Sequence, residues 1–375
     1  MRHGNHILGA FALASSLVGC GVAAEDTAAT AAASDDVTVR ADGYFTLTRD
    51  TRRCASPACG GYFVDPVNAS SARCADGTTA ARCYVGAVDL SALPLAGSER
   101  SVLASARGEI VIRGRIGVAS GNAYGQLVAT EAWRSVAGAA PTSSVSRVST
   151  TGTTCTFVPC EALNLLRANG SATALPVVGV DLSRLASLDE ATRDEVLGAA
   201  TRDGGSLVAG PRKTIPGNPS TTLVPYVHAT GAFVRMAQPA RTGLCGDALR
   251  DGFAWATERL LYTSETDAPF TWFTVDGART VPSDAALLAH LGIAAGTPVA
   301  HTTLDAFFTG PLTAGDPGLA EQHRVARFRQ LKRALEGNLT GVTVLRVGTV
   351  QIRVFIVGVT RCGTVAGLET LAVET

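Results

Sequence analysis

VTVLRVGTVQIRVFIVGVTRCGTVAGLETLAVET, residues 342–375, decides how the C-terminal third of this chain folds. Val350, Ile352, Val354 and Ile356 recur with a period of two, and Val342, Val344 and Leu345 alternate loosely with polar neighbours. Successive strand side chains point to opposite faces, so the pattern predicts paired strands with one buried face. Gly348 and the Cys362-Gly363 pair fall where turns are needed. Leu368 to Val373 reads as a third strand that delivers Glu374 and Thr375 to its end. Chain ends ordinarily fray. A strand running up to the last residue is therefore either an edge strand that simply stops or one whose carboxyl end is used.

Working outward, the segment from Cys245 predicts alternating helices and strands. Leu249, Phe253, Ala256 and Leu260 recur at helical spacing, with Asp247 as a candidate N-cap. Leu260 to Phe270 reads as a loop and Thr271 to Val275 as a strand. Ser283 can cap a helix that runs through Leu291 and stops at Gly292. Pro298 to Thr302 reads as a strand, Leu304 to Phe308 as a helical turn, and Gly310 to Gly318 as a loop. Leu319 to Leu339 is a long amphipathic helix with Val325, Phe328, Leu331 and Leu335 on one face. Arg324, Arg327 and Arg333 lie elsewhere on it and are expected on a solvated face.

Further upstream, residues 42–137 and 148–238 look like two copies of one β-rich α+β module, and they resemble an uncharacterised repeat of secreted bacterial proteins. The first carries Cys54-x4-Cys59 and then Val85-Gly-Ala-Val-Asp89-Leu-Ser-Ala-Leu93. The second carries Cys155-x4-Cys160 and then Val177-Val-Gly-Val-Asp181-Leu-Ser-Arg-Leu185. Each closes on a strand-like phrase, Val128 to Trp133 and His228 to Phe233. Asp89 and Asp181 head Asp-Leu-Ser phrases, which read as turns or helix caps rather than catalytic acids. Gly210 to Thr214 lacks the upstream glycine spacing of a phosphate loop, and Pro211 removes a backbone donor, so a phosphate site is rejected there. Gly138 to Ser144 and Ala237 to Gly243 read as linkers.

The N-terminus reads as a targeting segment over residues 1–19. Arg2, His3 and His6 precede an apolar run from Ile7 to Val18 that is too short to span a bilayer. Leu17-Val18-Gly19-Cys20 resembles a bacterial lipobox, which implies cleavage before Cys20 and acylation of that residue. Residues 20–41 then read as a disordered tether of Ala, Thr, Asp and Ser. The expected location is the bacterial cell envelope, as an outer-membrane lipoprotein facing the periplasm or the exterior. Of nine cysteines, removing Cys20 leaves an even set, which in an oxidising compartment suggests disulfides. Cys54–Cys59, Cys155–Cys160 and Cys74–Cys83 read as local loops, the last pair on an insertion peculiar to the first copy. Cys245 and Cys362 complete the set. A zinc site is disfavoured, because the C-x4-C spacings lack nearby histidines.

Composition excludes several functions. Lys plus Arg equals Asp plus Glu at 32 each, which argues against a dedicated nucleic-acid binder. Charged residues at 17% and apolar residues at 46% mark a globular chain. The histidines are scattered, and no nucleophile–base pairing is visible, so an enzyme is not expected. Nor is any cofactor or metal of its own.

The C-terminal third resembles the nuclease A inhibitor family. The matching phrases are Ala256-Thr257-Glu258, Leu260-Leu261, Ser264-Glu265 before Pro269-Phe270, Leu304-Asp305 before Phe307-Phe308, and Ala326-Arg327-Phe328. They continue with Asn338-Leu339, Arg346-Val347-Gly348, Ile356-Val357-Gly358, Ala366-Gly367-Leu368 and Val373-Glu374-Thr375. The resemblance covers roughly 247–375, within a domain bounded at 245–375. It implies a three-layer α/β/α sandwich with a mostly antiparallel central sheet. It also implies binding to a magnesium-dependent, non-specific DNA/RNA endonuclease, with Thr375 placed in the nuclease active site. Glu265, beside Ser264, would pair with a nuclease arginine, and Asp316 would make a third contact, although Pro317 follows it where the family has an aromatic. A hydroxyl and carboxylates suit a site built for phosphate and a hard cation. Residues 246–375 carry 13 acids and 11 bases, so long-range steering would be modest and affinity must come from placed contacts. Cys245 and Cys362 are extra to the family, and if paired would clip the first helix to the last hairpin. The alternative expectation is a structural or adhesive envelope lipoprotein that uses this domain only as a protein-binding scaffold.

Overall fold

The period-two stretch forms three antiparallel strands, Leu339–Val347, Gln351–Thr360 and Val365–Val373, in the computed structural model. The structure describes residues 35–39, 42–55, 58–119, 122–153, 161–217, 222–313 and 318–375. The proposed leader, Cys20, Cys155, Cys160 and Asp316 lie outside these. Residues 35–39 of the expected disordered tether instead form a strand, Asp35–Val39, paired parallel to Ala69–Arg73. The fold is α+β, and helices among the described residues are α1 (Gly97–Ala104), α2 (Glu190–Ala200), α3 (Gly246–Thr257), α4 (Asp284–His290), α5 (Leu304–Leu312) and α6 (Leu319–Asn338). No described helix is long and apolar enough to cross a membrane.

The three strands sit in a five-stranded antiparallel sheet ordered Thr271–Val275, Val365–Val373, Gln351–Thr360, Leu339–Val347, Val299–Thr302. Both faces are buried, not one. Ile352, Val354 and Ile356 point toward Phe253 of α3, Phe308 of α5 and Phe328, Leu331 and Leu335 of α6. Phe355 and Val357, one residue out of phase, point toward Leu287 and Leu288 of α4. Three layers result, α/β/α. Burying each such side chain is worth about 1.5–3 kcal/mol. Val350, counted in the alternation, is a half-exposed turn residue instead.

Helix limits follow local chemistry, with two shifts. Ser283 sits at the N-cap of α4, and Gly292 beyond its end has φ +65°. The N-cap of α3 is Cys245, two residues before Asp247, which instead places its carboxylate in the first turn. Helix α5 extends to Leu312, with its Thr303 hydroxyl accepting from the Ala306 amide. Leu260 to Phe270 is not a loop but a hairpin, Leu261–Thr263 paired with Asp267–Pro269.

The two repeat segments share one sheet. From one edge the order is Leu175–Val177, Leu163–Arg167, Val145–Thr150, Ser206–Ala209, Gly231–Arg235. It continues Asn122–Ser135, Arg107–Ala119, Gly43–Arg49, Tyr62–Pro66, Cys83–Val85. Read inward from either edge, the strands come in the same sequence order, so the halves are related by a pseudo-two-fold at the junction of Gly231–Arg235 with Asn122–Ser135. Asn68 and Asn169 lock the halves reciprocally. Each holds a left-handed backbone, φ +53° and +56°. The Asn169 amide donates to the Tyr44 and Val67 carbonyls and accepts from the Tyr44 N–H. The Asn68 amide does the same to Val145 and Ala168 in the other half. Asp89 and Asp181 each accept the N–H two residues on, at 2.9 Å, as turn-forming aspartates do.

The largest departure from the sequence reading concerns α6. Its arginine-bearing side is not solvated but packs against α2 of the second repeat. Arg327 is 3% exposed, and it donates to the Thr201 hydroxyl and the Ala256 and Glu258 carbonyls. Arg329 and Arg333 both pair with Asp194, at 3.2 and 2.8 Å. The Gln330 amide donates to the Asp194 carbonyl and accepts from Arg202. Arg324 and Arg333 match expectation in part: both side chains stay partly exposed, Arg324 pairing with Glu321 at the rim. Gly179 makes room for the start of α6: a Cβ there would fall 2.7 Å from the Leu319 Cβ. The segment expected as a second linker is also fastened, with Asn338 donating to the Arg241 carbonyl and accepting from the Leu244 N–H.

Three disulfides are formed among the described residues, Cys54–Cys59, Cys74–Cys83 and Cys245–Cys362. The last ties the N-cap of α3 to the turn between the final two strands.

Candidate functional site

The strand Val365–Val373 lies inside its sheet, yet its last residues outrun the neighbour on one side, since Thr271 pairs with Glu369. The backbone groups beyond Glu369 therefore need other partners. The Leu261–Pro269 hairpin supplies them. Its tip is Ser264-Glu265-Thr266, tightened by the Ser264 hydroxyl donating to the Thr266 carbonyl at 2.9 Å. The same hydroxyl accepts from the Val373 N–H at 3.0 Å. The Glu265 N–H donates to the Val373 carbonyl at 3.3 Å. Glu265 Oε1 then accepts from both the Thr375 N–H, at 2.9 Å, and the Thr375 hydroxyl, at 2.6 Å.

On the opposite flank, the Glu374 N–H donates to the Val350 carbonyl at 3.0 Å. The Glu374 carboxylate pairs with Arg346 at 2.6 Å, across the sheet. The structure thus brings Ser264, Glu265, Glu374 and Thr375 together on one rim. Asp316, the other expected contact, is outside the described residues. Arg346 had no role in the sequence reading. Its signal, a lone arginine in an otherwise apolar strand, is too common to single it out.

Electrostatically the rim is an oxygen-rich edge. Glu265, Glu374 and Thr375 are exposed and Ser264 is half-buried. The Thr375 hydroxyl and then its amide hold the Glu265 carboxyl below its ordinary value, so it is ionised at neutral pH. Among the described residues its second oxygen, Oε2, accepts no hydrogen bond. No group of three or more His, Cys, Asp or Glu among the described residues is placed to hold a metal. A cleft of about 780 Å³ opens where the repeats meet the C-terminal domain, lined by Arg202, Arg241 and Trp255. Glu195 accepts from Gln238 at 2.7 Å, Asp203 pairs with Arg259, and the Arg202 and Arg241 guanidiniums stack on the Trp255 ring. Arg202 Nε and Nη1 are buried with no hydrogen-bond partner among the described residues.

The three-layer domain thus presents an exposed, hydrogen-bonded rim of hydroxyl and carboxylate oxygens. Comparison with family models names its relatives. Residues 248–375 match the nuclease A inhibitor-like proteins, and the C-terminal third is such a domain. Residues 43–230, half of the chain, match the domain of unknown function DUF6748, and the chain belongs to that family. One family model spans both repeat segments, as the shared sheet does. No curated protein matches the chain.

Proposed function

We propose that this protein is an exported lipoprotein that binds and inhibits a magnesium-dependent, non-specific DNA/RNA endonuclease. Thr375 enters the nuclease active site, with Ser264, Glu265 and Glu374 beside it. The observation that carries this reading is the pair of hydrogen bonds from Thr375 to Glu265, on a nuclease A inhibitor-like domain. They hold a hydroxyl at the tip of a strand anchored in a five-stranded sheet. A nuclease site, built to bind phosphate oxygens with a hard cation and arginines, accepts such a group without a bond to cleave. Inhibitor-like proteins act by binding partners, and no catalytic step is assigned to this chain. Acylation of Cys20 would hold the domain at the outer membrane.

The test is titration of the full chain into a magnesium-dependent, sugar-non-specific nuclease, beside a chain lacking Thr375 and one extended by a C-terminal tag. Inhibition by the intact chain and its loss in both altered chains is expected. Full nuclease activity at micromolar excess of intact protein refutes inhibition. Equal inhibition by all three refutes the placement of Thr375. A structural or adhesive role predicts envelope defects on deleting the protein that the Thr375-less chain repairs completely. Acylation is tested by labelled palmitate, whose incorporation should disappear in Cys20→Ala.

A further inference from the structure

We infer that the cleft between the second repeat and the C-terminal domain binds the oxyanion of a small molecule, a phosphate or a carboxylate group, through Arg202 and Arg241. The site is separate from the rim at the end of the chain and does not depend on the inhibitor reading. Arg202 follows α2 directly, and Arg241 lies in the segment that leads into α3. Both guanidiniums lie over the Trp255 ring of α3, at 3.6 and 3.0 Å from its centroid. Both halves of the molecule therefore build the site. Its volume, about 780 Å³, is in the range of clefts that hold small molecules.

What these arginines lack is a counter-charge. Arg202 is 4% exposed and donates to the Gln330 side-chain oxygen at 2.9 Å. Its Nε and Nη1 have no hydrogen-bond partner among the described residues, and Glu258 Oε2 stands 4.0 Å from Nε. Arg241 donates to the side-chain oxygen of Gln238, again a neutral amide, and pairs with no carboxylate among the described residues. Arg327, buried beside them, donates to the Thr201 hydroxyl and to the Ala256 and Glu258 carbonyls, all neutral. The other charges of the wall are engaged elsewhere. Asp203 pairs with Arg259, Asp251 with Arg250, and Arg235 with Glu131. Three guanidiniums thus share two carboxylates at longer range, Glu195 and Glu258. The imbalance is felt at Arg202: burial holds its guanidinium well below the ordinary value, Arg327 and Arg241 push the same way, and Glu195 and Glu258 oppose them.

A buried charge without a partner is costly, and so is a buried donor without an acceptor. A water molecule can satisfy the donors but not the charge. An oxyanion supplies both, and the planar guanidinium fork matches two oxygens of a carboxylate or phosphate. Entering from the cleft, it meets Arg241 first, because that side chain is half-exposed. In surroundings this dry its charge also acts on Arg202 beyond contact distance.

The experiment titrates the full chain with inorganic phosphate and, separately, with succinate, at constant ionic strength, beside Arg241→Gln. Side-chain NMR follows the Nε–H resonances of Arg202 and Arg241, with exposed Arg184 as the internal reference. Saturable shifts at Arg202 and Arg241, with Arg184 unmoved, are expected with at least one ion in the millimolar range. The ion that saturates at the lower concentration assigns the ligand as phosphate-bearing or carboxylate-bearing. Thermal unfolding is the second readout, since a ligand that binds the folded state raises its melting temperature. Arg241→Gln should need about tenfold more anion for the same rise, as loss of one charge-assisted hydrogen bond gives. Phosphate also stabilises folded proteins in general, and the variant keeps that general effect. An equal rise in the two proteins therefore overturns the inference. So does the lack of a saturable shift at Arg202 with either ion.

Discussion

His323 makes the docking of the C-terminal domain onto the repeats sensitive to acid. Its imidazole is fully enclosed on α6. Nδ1 donates to the Leu197 carbonyl of α2 at 2.7 Å, and Nε2 accepts from the Val180 N–H at 3.0 Å. The two backbone partners fix the tautomer, and a second proton on Nε2 would face the Val180 N–H. Burial pushes the ring down from 6.5 to about 4. The unfolded chain takes up this proton below about 6.5 and the folded chain only below about 4, so the unfolded state carries more protons throughout that window. The stabilisation is therefore complete above pH 6.5 and lost as pH falls toward 4. It amounts to roughly 3 kcal/mol, most of it gone by about pH 4.5. Asp194 acts in the opposite sense, because burial raises its carboxyl and the folded state protonates it first. Comparison with a non-titrating variant isolates the histidine. Urea unfolding of wild type and His323→Gln between pH 7.5 and 4.5, followed by circular dichroism and tryptophan fluorescence, should show a steeper acid loss in wild type by about 2–3 kcal/mol. Identical slopes in the two proteins would refute the reasoning.

Asn169→Ala, and separately Asn68→Ala, removes three hydrogen bonds between the repeat halves and a residue tolerant of positive φ. Each should cost about 2–3 kcal/mol in urea unfolding. Gly179→Ala drives a methyl against Leu319 and should cost about 1–3 kcal/mol. Hydrogen exchange should rise in residues 177–185 and in the first turns of α6, but not in the strand Gly43–Arg49. Cys245→Ser opens a link between residues 117 apart. Its cost is at most about 4–5 kcal/mol in the chain-entropy model, and it should make the C-terminal domain's melting insensitive to reductant.

Much of this architecture is legible locally. Ile352, Val354 and Ile356 declare a strand because the two-residue period is a property of the extended backbone itself. Phe328, Leu331 and Leu335 declare a buried helix face for the same kind of reason. Asp89 and Asp181 bond within two residues, so their turns needed no tertiary knowledge. The hairpin at 261–269 was missed because its strands are three residues each, too short for a period to register. The grouping of residues 264–265 with 374–375 is suggested only by the resemblance of their phrases: nothing in residues 264–265 says that residue 375 will lie against them.

What the sequence determines by itself is the set of elements, the α+β class, the doubled N-terminal pattern and the apolar faces. These depend on interactions within a few residues. The tertiary structure alone decides which polar face is solvent. Arg327 and Arg333 sit on a helix face that reads the same whether water or another helix lies opposite. Here α2 lies opposite, more than a hundred residues away in sequence, with Thr201 and Asp194 in reach. The tertiary structure also decides that the end of the chain is held rather than frayed. Strand Thr271–Val275 stops short, and Ser264 and Glu265 take the hydrogen-bonding places it leaves vacant.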